Sequence, residues 1–217
     1  MKEFHIEKGW EKTLEALGLA SLEDMLAFRN DDCESEHRRG ATYRIPLPGL
    51  ENDNLFLKCD YFTHKKEILK DLLQFRRPCQ NSVKERIAFD YARNAGFIVP
   101  EVVAWGRISE WGLPSKAAML MREIHGTSLW DLIVAEKEGE YVAAAENLLR
   151  RMFACGFDWP DYKPEHFIVT PDGRIALIDL ERMRFVGASL SDEDVATRIA
   201  FFHRRVEMTR AWIAKPK

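Results

Sequence analysis

The alternation and spacing of apolar residues divide the chain into a strand-rich first part and a helix-rich second part. Period-two alternation and short apolar runs predict strands at residues 41–46, 55–61, 102–106 and 117–123, with an edge strand in the polar segment 33–40. Helical spacing predicts two short helices within residues 10–28 and further helices at 65–75, 82–95, 128–135, 140–156 and 192–213. The segment 169–175 has the pattern of a short hairpin.

Residues with strong local preferences predict where several elements begin and end. Gly18 should stop the first helix, and Ser21 should cap the second. Ser82 is predicted to cap the helix at 82–95, with Glu85 at the capping-box position and Gly96 after the last turn. Turn residues predict connections at 48–54 and at 109–115.

The order of these elements predicts an α+β fold, because strands with a few helices precede a mainly helical segment. The pattern breaks near Gly126, so we predict an N-terminal sheet lobe at residues 1–122 and a small helical lobe at residues 123–217.

Composition narrows the classes of protein to which the chain can belong. A chain of 217 residues is long enough for one core or two small lobes. A net charge of −3 argues against general nucleic-acid binding, and no apolar run reaches the roughly 18 residues of a membrane span. Residues 1–10 lack the apolar core of a signal peptide, and the four cysteines form no CxxC pair, so reduced thiols in a cytoplasmic protein are expected.

The chemistry is carried by three residues late in the chain. Asp161 and His166 are five positions apart, and Asp179 follows an apolar run. Phosphoryl transfer needs a carboxylate near the attacking hydroxyl and ligands that hold magnesium against the ATP phosphates. Kinases keep the first carboxylate and one ligand at D-x-x-x-x-N spacing and the second ligand in a later Asp motif. This chain keeps the spacing with His in place of Asn, which predicts Asp161 as base and His166 and Asp179 as metal ligands.

Other polar residues are predicted to assist. Lys58 closes an apolar strand and would place its charge on ATP phosphates, with Glu85 of the next helix holding it. Lys163 would neutralise charge on the moving phosphoryl group. The loop 38–43, without a G-x-G-x-x-G motif, would bind phosphate through side chains such as Arg39. Glu123, at the end of the last strand, completes the predicted nucleotide-binding set.

Four passages resemble the lipopolysaccharide core kinases, the Kdo and heptose kinases of Gram-negative bacteria. They are Lys58 with residues 65–74, Glu85-Arg86 with residues 96–100, residues 156–167, and residues 178–182. The heptose-kinase branch is the more similar one, since it has His at the Asn position and an Asp-Leu pair like Asp179-Leu180.

The resemblance implies a protein-kinase-like two-lobed fold, with ATP and Mg²⁺ as cosubstrates and a sugar hydroxyl of the lipid A inner core as acceptor. It also implies action in the cytoplasm, with peripheral contact at the inner membrane. Two alternatives remain open: a nucleotide-binding pseudokinase with a regulatory role, and a kinase for another small hydroxyl compound or a protein.

Overall fold

The structure of the protein is a computed structural model, which describes residues 1–50, 53–63, 65–73 and 77–213. The strands are β1 (Lys2–Ile6), β2 (Cys33–His37), β3 (Gly40–Pro46), β4 (Asn54–Asp60), β5 (Val102–Glu110), β6 (Leu113–Arg122), β7 (Thr127–Ser128), β8 (Phe157–Asp158), β9 (Phe167–Val169), β10 (Ile175–Leu177) and β11 (Arg184–Phe185). The helices are α1 (Glu11–Ala16), α2 (Leu22–Ala27), α3 (Lys65–Leu73), α4 (Asn81–Asn94), α5 (Leu129–Val134), α6 (Tyr141–Ala154) and α7 (Asp192–Ile213), with a 3₁₀ turn at Pro164–His166.

The chain forms two compact units that are not contiguous in sequence. The first comprises Met1–Ile87 and Pro100–Glu123, and the second comprises Ala88–Val99 and Ile124–Lys217. No helix in the described ranges is both long and apolar enough to cross a membrane.

A six-stranded antiparallel sheet in the order β1-β5-β6-β4-β3-β2 forms the first unit. The predicted edge strand is confirmed, because β2 lies at one edge and exposes four of its five residues. Charged side chains on an edge strand oppose pairing with another chain. β1 covers the other edge and was not predicted. Its residues Lys2–Ile6 gain strand structure by pairing with β5, a contact that local sequence does not encode.

The two predicted N-terminal helices are confirmed and pack on the sheet. The Ser21 hydroxyl accepts a hydrogen bond from the backbone N–H of Asp24 at 3.1 Å, which caps α2 as expected. The buried cluster joins helix and sheet side chains, among them Leu14, Leu22, Met25, Leu55, Leu57 and Leu120.

Two predictions for this unit are wrong. α4 begins at Asn81, and the N–H and hydroxyl of Ser82 both donate to Asp60 Oδ2, at 2.8 Å and 2.7 Å. A carboxylate from β4 therefore takes the role that we assigned to the Ser82 side chain. The loop at 109–115 is shorter than predicted, because Trp111 and Gly112 alone make the turn, both with left-handed φ angles of 53° and 79°.

The second unit contains two small sheets and helices α5, α6 and α7. β9 pairs with β7 and β10, which confirms the predicted hairpin, and β8 pairs with β11. Its core is aromatic: Phe167 contacts Phe202 and Trp159, each with ring centroids 5.6 Å apart. The predicted helix at 192–213 matches α7. Predicted positions that fall on residues 51–52 of the turn and 74–75 of the helix at 65–75 lie outside the described residues.

Candidate functional site

The predicted pair of Lys58 and Glu85 is present in the first unit. Lys58 lies on β4 and Glu85 on α4, and Lys58 Nζ donates to Glu85 Oε2 at 2.6 Å. The Glu85 side chain is 1% exposed and the Lys58 side chain 24% exposed. A buried carboxylate thus fixes an ammonium group that solvent still reaches, which is the arrangement needed to present a positive charge to an anionic ligand.

Asp161 lies in the second unit, between β8 and the 3₁₀ turn. Its half-buried carboxylate has two cations nearby: Lys163 Nζ is 3.7 Å from Oδ1, and Arg182 Nη1 is 3.8 Å from Oδ2. Both distances are longer than a hydrogen bond, so the two cations make the surroundings of the carboxylate positive without donating hydrogen bonds to its oxygens. Such a carboxylate can accept both a hydrogen bond and a proton from a hydroxyl group.

His166 and Asp179 are brought together in the same unit. His166 Nδ1 is 2.7 Å from the backbone carbonyl oxygen of Asp161, and because a carbonyl only accepts, Nδ1 must donate its proton. In the neutral ring, Nε2 then carries a lone pair. That atom lies 3.3 Å from Asp179 Oδ2. Two electron-pair donors therefore face each other, an arrangement that a shared cation stabilises.

Local structure explains why these side chains converge. Pro164 begins the 3₁₀ turn that ends at His166, and the backbone N–H of Ile178 donates to the His166 carbonyl oxygen at 3.0 Å. Asp179 then adopts φ 56°, a left-handed conformation that aspartate tolerates better than most residues. Strained backbone of this kind concentrates at functional sites.

The His166 and Asp179 atoms fit a magnesium site of the kind that also uses substrate oxygens. Within the described ranges, no group of three or more His, Cys, Asp or Glu side chains is placed to hold a metal ion. Magnesium keeps several waters and binds one or two carboxylates plus substrate phosphates, so it does not need a cage of protein ligands. Asp179 supplies one such carboxylate, and its Oδ2 lies 3.3 Å from His166 Nε2.

The remaining predicted nucleotide-binding residues occupy the first unit. Arg39 lies in the turn between β2 and β3, where its N–H donates to His37 Nδ1 at 3.2 Å. Glu123 follows β6, and its two carboxylate oxygens accept from Arg44 Nη2 at 3.0 Å and 3.1 Å. Asn54 also donates to this carboxylate. The binding of nucleotide by Arg39 and Glu123 stays a prediction.

Two residues of the site were not predicted from sequence. Arg182 reaches Asp161 although it is 21 positions away in the chain, and no spacing rule gives that distance. Trp159 is fully buried and stacks on His166, with ring centroids 5.9 Å apart and planes at 26°. The hydrogen bond to Asp161 holds the edge of the imidazole ring, and the Trp159 ring packs against its face.

A protein-family model matches most of the chain. The model of the lipopolysaccharide kinase (Kdo/WaaP) family matches residues 32–210. A curated Arabidopsis thaliana protein, "ACTIVITY OF BC1 COMPLEX KINASE 3, chloroplastic", is 29% identical over 98 residues, which is 43% of this chain and 13% of that protein.

Solved structures share the fold at low sequence identity. "WaaP in complex with acyl carrier protein" has a TM-score of 0.65 at 15% identity, covering 99% of this chain and 90% of that one. "Co-crystal structure of WbdD and kinase inhibitor LY294002" has a TM-score of 0.52 at 17% identity, covering 78% of this chain and 36% of that one. These likenesses confirm the predicted α+β, protein-kinase-like fold.

Proposed function

Because the chain belongs to the lipopolysaccharide kinase (Kdo/WaaP) family, we propose that it transfers the γ-phosphoryl group of ATP to a sugar hydroxyl of the lipopolysaccharide inner core. The observation that carries the proposal is the group formed by Asp161, His166 and Asp179. It combines a half-buried carboxylate, a histidine whose tautomer is fixed, and an aspartate 3.3 Å from the free ring nitrogen.

Each residue has one role in this reaction. Asp161 accepts the proton of the sugar hydroxyl while the new oxygen–phosphorus bond forms and the bond to ADP breaks. Lys163, 3.7 Å from Asp161, places a positive charge beside the transferring group. Lys58 holds nucleotide phosphate, and Glu85 keeps the ammonium in position. His166 Nε2 and Asp179 Oδ2 would hold magnesium, which when bound would neutralise charge on the phosphates.

Heptose is the proposed acceptor, ahead of Kdo. The support is the pair of features shared with the heptose-kinase branch, His166 at the Asn position and the Asp179-Leu180 pair. Such an acceptor is attached to lipid A, so the reaction would take place beside the cytoplasmic face of the inner membrane.

The test measures acceptor-dependent ADP release with magnesium and lipopolysaccharide core that has been dephosphorylated. Cores ending in heptose and cores containing only Kdo are compared. Asp161→Ala should lower turnover by roughly a hundredfold or more, because it removes the base. Asp172→Ala, on the exposed turn between β9 and β10, is the matched control and should keep wild-type turnover.

The outcomes separate the candidate functions. Equal turnover of wild type and Asp161→Ala would refute the role of Asp161. Turnover with Kdo cores alone would refute heptose and retain the kinase. Magnesium-dependent ATP binding without turnover on any acceptor would favour the nucleotide-binding regulatory protein.

A further inference from the structure

Helix α3 presents its leucine side chains to solvent and its aspartate to the protein. Leu69 is 57% exposed, Leu72 is 50% and Leu73 is 72%, whereas Asp71 is 9% exposed. This is the reverse of the usual amphipathic arrangement, in which the apolar face of a helix packs on the core. The leucines follow i, i+3 and i+4 spacing, so they share one helix face.

A partly buried ion pair between Lys84 and Asp71 holds the helix in this orientation. Lys84 Nζ on α4 donates to Asp71 Oδ2 at 2.8 Å. Rotating α3 to bury the leucines would expose Asp71 and break this contact, which lies within the first unit. The outward apolar face is therefore built into the packing, and adjacent exposed leucines of this kind mark an interaction surface.

The charge around the leucines selects an anionic partner. Lys65 and Lys66 occupy the first turn of α3 and are exposed, and Arg77 beyond the helix is exposed as well. Residues 65–77 contain five lysines and arginines and two acidic residues, although the whole chain has a net charge of −3. One of those acids is Asp71, which is neutralised by Lys84.

We propose that α3 is a docking surface for an anionic membrane. Its leucines would enter the boundary between headgroups and acyl chains, and its lysines would contact lipid phosphates. Lipid suits this face better than an acidic protein does, because lipid can cover a single convex helix without a complementary surface. The proposal rests on α3 and its charges alone and does not depend on the proposed kinase activity.

Vesicle sedimentation tests the proposal without any activity assay. The whole protein is mixed with phosphatidylethanolamine–phosphatidylglycerol vesicles or with phosphatidylcholine vesicles. The wild type should pellet with the anionic vesicles and stay in solution with the neutral ones. The triple variant Leu69→Gln/Leu72→Gln/Leu73→Gln should have a partition coefficient that is lower by about tenfold or more. A tenfold change corresponds to only about 1.4 kcal/mol, and three leucines contribute to the free energy of partitioning.

A second variant and a control make the result specific. Lys65→Gln/Lys66→Gln keeps the leucines and should reduce binding to anionic vesicles, which tests the charge separately. Met208→Gln, a similarly exposed apolar residue on α7, should bind like the wild type. Glutamine is a good helix former, so circular dichroism should match the wild type in every variant.

Three results would overturn the proposal: no wild-type binding to anionic vesicles, equal binding to neutral ones, or unchanged binding by the triple leucine variant. In the first case, the α3 face would have to serve a protein partner.

Discussion

The Lys58–Glu85 pair yields a quantitative prediction because its two partners differ in burial. Lys58→Met leaves the Glu85 carboxylate, 1% exposed, without its ammonium partner. Glu85→Gln leaves an ammonium group that is 24% exposed and can still be hydrated. The first change should therefore destabilise the first unit more than the second. The reverse order would show that desolvation of Glu85 does not control the energetics of the pair.

The magnitudes follow from the two limits for ion pairs. Removing one partner of a buried pair costs roughly 3–5 kcal/mol, whereas an exposed pair contributes about 0–1 kcal/mol. Lys58→Met should thus lower the free energy of unfolding by about 3 kcal/mol, near the lower end of the buried range. Glu85→Gln keeps a hydrogen-bond acceptor beside a partly hydrated ammonium, so about 1.5 kcal/mol is expected.

A double-mutant cycle isolates the interaction. The variant carrying both changes retains neither charge of this pair, so it should be no less stable than Lys58→Met alone, which gives a coupling energy of about 1.5 kcal/mol. Urea unfolding followed by circular dichroism measures each free energy of unfolding. The dependence of that free energy on urea concentration should be the same for all variants, which verifies that they expose the same surface on unfolding. The exposed pair Lys2–Glu23, treated with Lys2→Met and Glu23→Gln, is the control and should couple much more weakly, because solvent screens both charges.

Additive effects of Lys58→Met and Glu85→Gln, within about 0.5 kcal/mol, would refute the reasoning. A coupling in the Lys2–Glu23 control as large as that of the buried pair would also refute it, since burial would then make no difference.

Further predictions concern the proposed metal ligand Asp179, the cysteines and a strained turn. Asp179→Asn, which keeps the shape and removes the charge, should weaken ATP binding about tenfold, or about 1.4 kcal/mol, only when magnesium is present; coinciding magnesium titrations would contradict this. Burial raises the pKa of the Cys59 thiol to about 12, so at pH 8 iodoacetamide should modify exposed Cys155 first, as read by peptide mass spectrometry; equal rates in the folded protein would contradict it. Gly156→Ala should cost about 2 kcal/mol by thermal unfolding, since φ is +80° and the new Cβ would lie 2.8 Å from a carbonyl oxygen. Gly173→Ala, at φ +78° with no atom nearer than 3.9 Å, should cost about 1 kcal/mol and isolates the backbone term.

Elements with strong local signals could be predicted from the sequence, and elements that depend on a distant partner could not. Ser21 and the apolar spacing after it specify α2, and the long periodic segment at 192–213 specifies α7. β1 has no such signal, because its strand structure comes from pairing with β5 about 100 positions later. Ser82 shows the same limit, since Asp60 takes over the cap from another element.

The candidate site also combines features that the sequence predicts with features that depend on distant parts of the chain. The spacing of Asp161 and His166 is visible in the sequence, and the structure converts it into a fixed tautomer through the 2.7 Å contact with the Asp161 carbonyl oxygen. That contact joins residues only five positions apart, so the local 3₁₀ turn is enough to produce it. The approach of Arg182 to Asp161 depends instead on the path of the chain after Asp179, which no local pattern specifies.

Helix α3 shows that periodicity fixes the apolar face of a helix but not the direction in which that face points. The spacing of its leucines predicted the helix correctly. Its orientation is set by Asp71, whose pairing with Lys84 is a contact between two helices. A rotation that buried the leucines would carry Asp71 away from Lys84 and break their 2.8 Å contact. Asp71→Leu should consequently let the helix rotate and bury its leucines, which would remove the surface that we assign to lipid.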